Sequence, residues 1–110
     1  MITTIQVIVT AAENLLCEAV LATIFQAYQE SQKTTPPKKF AGIGAAEIGK
    51  RAGIYRKKGK ANMNDAVVHG ILNKLYDGKK VKRAKKGLGS WTLTKAELDN
   101  RLQPAEKQHN

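Results

Sequence analysis

Apolar residues recur at Leu16, Val20, Ile24 and Ala27, with Leu15, Ala19 and Ala22 beside them, a spacing that predicts a helix over 11–32 with a wide apolar arc. Thr10-Ala11-Ala12-Glu13 fits a capping box at its start, the threonine hydroxyl and the glutamate each serving an otherwise unpaired amide. Upstream, Ile5, Val7 and Val9 alternate as a strand would, while Ile5, Ile8, Ala12 and Leu15 fit a longer helix. Both readings of residues 2–9 stay open. Pro36-Pro37 and the polar residues around them make 32–44 a loop, with room for a short strand at Phe40.

Ala45 to Ile54 reads as a short helix with Ile48 and Ala52 inward and Gly53 as its stop. A basic stretch from Tyr55 to Ala61 follows. Asn62 or Asn64 then caps a helix over about 64–76, whose buried stripe is Val67, Val68, Ile71, Leu72 and Leu75. Asp77-Gly78 ends it. Val81 opens a strand, Lys86 to Gly89 form a turn, and Trp91-Thr92-Leu93 return with Trp91 and Leu93 inward. Thr94-Lys95-Ala96-Glu97 is a second capping box, starting a helix with Leu98 and Leu102 inward that stops near Pro104. Residues 105–110 are expected to fray.

Charge changes the picture most. Residues 1–32 carry three acids and no base, whereas 33–86 hold 16 of the 19 basic residues against Glu47, Asp65 and Asp77, a net +13. Such a concentration is usually built to meet a polyanion. The single cysteine, Cys17, cannot form a disulfide within the chain and fits a reducing compartment. The start lacks a basic leader, and Glu18, Gln26 and Gln29 interrupt the apolar run, so a cytoplasmic protein without a membrane span is expected.

Catalytic and metal-binding patterns are weak. Gly44 to Lys50 has the spacing of a phosphate-binding loop, but Arg51 stands where a magnesium-holding Ser or Thr is needed. Cys17, His69 and His109 have no metal-ligand spacing, and no acid pair suggests acid–base work. The chain is read as a non-enzyme with no cofactor and no metal.

The order helix, short strand, helix, helix, hairpin resembles the winged helix-turn-helix superfamily. Ala46 to Ile54 looks like the first helix and turn of that motif. Val68 to Leu75 with Gly78 to Arg83 resembles the recognition helix entering the wing, and Gly89 to Thr94 its returning strand. The likeness covers about 45–94. It departs from the usual turn of three or four residues, because Ile54 to Ala61 intervenes with four basic residues among its eight.

The fold class so implied is α+β, mostly α: a single domain over 1–104, with a three-helix core, a C-terminal hairpin wing, a long N-terminal helix and a short C-terminal one. The resemblance further implies that the third helix enters a major groove of double-stranded DNA while the wing touches backbone or minor groove. On the helix face opposite the apolar stripe lie Ala66, His69, Gly70, Asn73 and Asp77. Asn73 and His69 can contact base edges, and Asn62 and Asn64 lie at the end that reaches bases first. Gly70 serves either close approach to DNA or close packing under a neighbouring helix. Phosphate contacts are expected among Lys50, Arg51, Arg56, Lys57, Lys58, Lys60, Lys82, Arg83, Lys85 and Lys86.

A transcriptional regulator or accessory DNA-binding factor is the first reading. A ribosomal-type RNA-binding protein and a protein-interaction module are the alternatives. The apolar N-terminal segment, with more than one apolar face, is expected to form a homodimer.

Overall fold

The computed structural model describes residues 4–54, 63–84 and 90–102. It is an α+β structure, mostly helical, in the order α1 (Thr4–Gln32), β1 (Ile43–Gly44), α2 (Ala45–Arg51), α3 (Met63–Asp77), β2 (Val81–Arg83), β3 (Ser90–Leu93) and α4 (Lys95–Leu102).

Helix α1 settles the open reading of the N-terminus. It runs unbroken from Thr4, so Thr10 is interior and caps nothing. Glu13 instead pairs with Lys74 of α3. The sheet has the order β1-β3-β2, and Ile5, Val7 and Val9 are not part of it: they lie exposed on the first turns of α1. The C-terminal half of α1 enters the core through Val20, Leu21, Ile24 and Ala27. Thr23, also buried, satisfies its hydroxyl on the Ala19 carbonyl at 2.7 Å. By length and composition alone α1 could cross a membrane, with a mean hydropathy of 1.7 over its most apolar window. Core helices of soluble proteins meet the same description.

The strand expected near Phe40 lies at Ile43–Gly44. Phe40 packs edge-on against Tyr28, ring centroids 6.0 Å apart, while Ile43 is buried and pairs with Trp91. Just before it, Gly42 has a φ of 100°, and a Cβ there would lie 2.6 Å from the Ala84 Cβ and 3.0 Å from that of Ser90. Gly42→Ala therefore combines backbone strain with overpacking, together about 2–4 kcal/mol. Chemical denaturation should show that loss; a midpoint within error of the parent would refute it.

Helix α2 ends as its sequence predicts. Gly53 takes a φ of 79°, its amide donates to the Lys50 carbonyl, and the Ile54 amide donates to that of Gly49, closing a Schellman turn. Helix α3 ends with the same bond pattern. Lys80 and Lys79 donate to the Leu75 and Tyr76 carbonyls, and Lys79 takes the left-handed position with a φ of 62°. A glycine would fill that position with less strain.

The core gathers Val20 and Ile24 of α1, Ile48 of α2, Val68 and Leu72 of α3, and Val81 of β2, all fully buried. Trp91 and Leu93 point inward from β3 as expected. Two positions expected inside are not. Val67 is 40 % exposed, because Val68, Ile71, Leu72 and Leu75 already span the core-facing arc of α3. Leu102 is 49 % exposed at the last described turn of α4, where only Leu98 reaches the core.

The second capping box does form its forward bond. The Glu97 amide donates to the Thr94 hydroxyl oxygen at 3.4 Å, and that hydroxyl donates to the Lys79 carbonyl at 2.9 Å. Arg101 ties α4 back to α1, donating to Glu18 at 2.8 Å and to Glu97 at 2.9 Å. Partial burial works against its charge, but the two carboxylate bonds outweigh that and hold its pKa above the ordinary value. The residues expected to form the wing's turn and the frayed tail lie outside the described residues.

Candidate nucleic-acid interface

The outward face of α3 is built by the burial of the opposite one. With Val68, Ile71, Leu72 and Leu75 in the core, the roughly 100° advance per residue leaves Ala66, His69, Gly70, Asn73 and Asp77 exposed, as the sequence predicts. Gly70 is not under another helix: a Cβ added there would meet nothing within 4 Å. Asn64 lies in the first turn of α3, and Asn62 falls outside the described residues.

The two flanks of this face differ. On one side α1 runs alongside, and a groove of about 400 Å³ separates the helices, lined by Val9, Ala12 and Leu16 of α1 and by Val67 and Gly70 of α3. Val67 belongs to this groove. Here the Glu13 carboxylate raises the pKa of Lys74 through their hydrogen bond, and the two charges largely cancel. On the other side lies the sheet. Tyr76, half-exposed, meets the Trp91 ring edge-on at 6.2 Å, and the Arg83 guanidinium sits over the same ring at 4.9 Å. Stacking of this kind orients a guanidinium while leaving its N–H groups able to donate. The indole N–H of Trp91 is buried and has no hydrogen-bond partner.

His69, Asn73 and Tyr76 thus form a row at i, i+4 and i+7 that ends beside Arg83. The sequence points to the first two and to Arg83 as contacts. It shows Tyr76 only as an exposed aromatic candidate, since its place beside Arg83 depends on the Trp91 ring, which another element supplies.

The predicted phosphate contacts divide. Lys50 is exposed with no acidic partner among the described residues. Arg51, its neighbour, is committed: it bonds Glu47 and Glu30, each at 3.0 Å, and those bonds raise its pKa. It stabilises α2 against α1 more readily than it meets a phosphate. Lys82 and Arg83 are both exposed but point to opposite faces of the sheet, because strand side chains alternate. Arg83 faces α3, across from Trp91, and Lys82 lies across from Thr92 on the outer face. Lys79 and Lys80, at the junction of α3 and β2, are exposed and add two ammonium groups to those the sequence singles out. Arg56, Lys57, Lys58, Lys60, Lys85 and Lys86 fall outside the described residues.

The phosphate-loop spacing has no loop behind it. Ala45 to Lys50 are helical directly after β1, so no glycine-rich loop precedes the helix to wrap around an anion. Among the described residues no group of three His, Cys, Asp or Glu could hold a metal ion. No family model, curated protein or solved structure matches the chain.

Proposed function

We propose that the protein binds double-stranded DNA as a winged helix-turn-helix, with α3 as recognition helix and β2–β3 as the wing, in the cytoplasm and as a transcriptional regulator or accessory DNA-binding factor. The observation that carries this reading is the row His69–Asn73–Tyr76 with Arg83 at its end, on a helix face that small residues leave open. Ala66 and Gly70 keep that face low enough for base edges to approach, and Asn73 has the amide geometry that pairs with adenine. Exposed lysines stand at the close of α2 (Lys50) and at the close of α3 (Lys79 and Lys80). Phosphate contacts of that kind fix register, while side chains on the helix specify sequence.

Selection from random duplex DNA, with structured RNA as competitor, tests the reading directly. Enrichment of a duplex motif is expected. Preferential retention on the structured RNA would overturn it in favour of an RNA-binding protein. On the enriched site, His69→Ala and Asn73→Ala should each cost about 1–3 kcal/mol, and on random duplex far less. Equal losses on both would show that α3 does not read bases.

A further inference from the structure

The outer face of the sheet carries an open pocket whose lining includes no residue of α3. Lys82, exposed on that face, shares an open pocket of about 410 Å³ with Lys39 of the 33–42 loop and Lys95 of α4. The floor is apolar: Tyr28 and Phe40 meet edge to face at 6.0 Å, and Leu98 closes the α4 side. Lys95 shares its charge with Asp99 at 3.3 Å, both well exposed. Lys39 and Lys82 have no acidic partner among the described residues.

Two features point to one class of occupant. The volume lies in the range of small-molecule pockets, about 300–1,000 Å³. Its charged lining is cationic, and its floor is aromatic and aliphatic. A phosphodiester backbone would need the lysines but gain nothing from that floor, whereas an apolar ligand would need the floor but leave the lysines unused. We infer that this pocket binds a small organic anion with a planar apolar body, an aromatic carboxylate being the simplest case. The ring lies against Phe40 and Tyr28, and the carboxylate accepts from Lys39 and Lys82. The lining comes from α1, the 33–42 loop, β2, β3 and α4, so the site exists only in the folded chain. The inference does not rest on the DNA-binding reading and stands or falls without it.

The probe is 1-naphthoate, titrated into ¹⁵N-labelled protein and followed by amide chemical shifts. Saturable shifts at Phe40, Thr92 and Leu98 are expected, with affinity at least tenfold above that for 1-naphthalenemethanol, the uncharged counterpart. Lys39→Gln with Lys82→Gln should weaken naphthoate by about tenfold or more and leave the alcohol nearly unchanged; both lysines are exposed, so the fold is retained. Phe40→Ala should weaken both ligands. No saturable shifts up to millimolar ligand, shifts confined to α1, or equal affinity for acid and alcohol would each overturn the assignment. So would matching shifts and affinity with inorganic phosphate, which would make the surface a phosphate contact.

Discussion

Raising salt from 50 to 200 mM should weaken duplex DNA binding by about 10³- to 10⁴-fold. Neutralising some six to eight phosphates releases their condensed counterions, and log K then falls with log salt at a slope of about −5 to −7. The described part of the +13 segment offers suitable cations apart from the outer-face pocket: Lys33, Lys38, Lys50, Lys79, Lys80 and Arg83 are exposed and without acidic partners among the described residues. Arg51 and Lys74 are discounted because glutamates already hold them. Charge-neutralising Lys79, Lys80 and Arg83 together should reduce the slope by about one for each phosphate they had neutralised, and should weaken all sequences alike. Arg51→Gln should leave the slope unchanged and instead loosen α2 from α1. A fluorescence-anisotropy titration at four salt concentrations reads both effects. A slope near zero, or no binding at the lowest salt, would remove nucleic acid as the partner.

What the sequence disclosed and withheld follows the range of the forces involved. Gly53 and Thr94 were legible because a helix end is decided within four residues, by a left-handed glycine or a hydroxyl facing an amide. Asp77-Gly78 marks the end of α3 in the sequence but does not show that Lys79 rather than Gly78 takes the left-handed position, which the bonds from Lys79 and Lys80 to Tyr76 and Leu75 fix. The segment from Ile5 to Val9 fits two periods at once, and its continuity with the core-anchored part of α1, not its own pattern, carries it as helix. The opposed directions of Lys82 and Arg83 follow from strand alternation once β2 is paired with β3. Arg51 looked like its neighbour Lys50 in sequence, yet its partner Glu30 is 21 residues away and reachable only once α1 and α2 pack. The row ending in Arg83 is of the same kind. His69 and Asn73 came from helical periodicity, but the ring that orients Arg83 belongs to another strand.

The protein is expected to sediment as a dimer of about twice 12.0 kDa, held through the face of α1 turned away from the core. Ile5, Ile8, Ala12, Leu15, Ala19 and Ala22 recur at alternating steps of three and four, and a seam with that seven-residue period packs against a copy of itself in coiled coils. With Val20, Ile24 and Ala27 buried, the larger side chains of this seam stay outward, Ile5 73 % exposed, Ile8 62 % and Leu15 73 %, while Ala12 also borders the groove beside α3. An apolar stripe of that length on a monomer is costly, and covering it by a second copy removes the cost. Ile8→Glu with Leu15→Glu would bury unpaired charge in the seam, at a cost of about 3–5 kcal/mol, which raises the dissociation constant by about two to four orders of magnitude. Both side chains are exposed in the single chain, so circular dichroism and the thermal midpoint at low concentration should hardly change. Sedimentation equilibrium at micromolar protein decides the matter. A 12.0 kDa parent removes the dimer; a dimeric parent that the double substitution leaves dimeric moves the interface off α1. A parent that floats with lipid vesicles and loses this on substitution assigns the same face to a membrane surface. If the dimer holds, a two-fold pair of α3 helices requires half-sites separated by about one helical turn of DNA, so the motif selected from random duplex should be palindromic for the parent and a single half-site for the substituted protein.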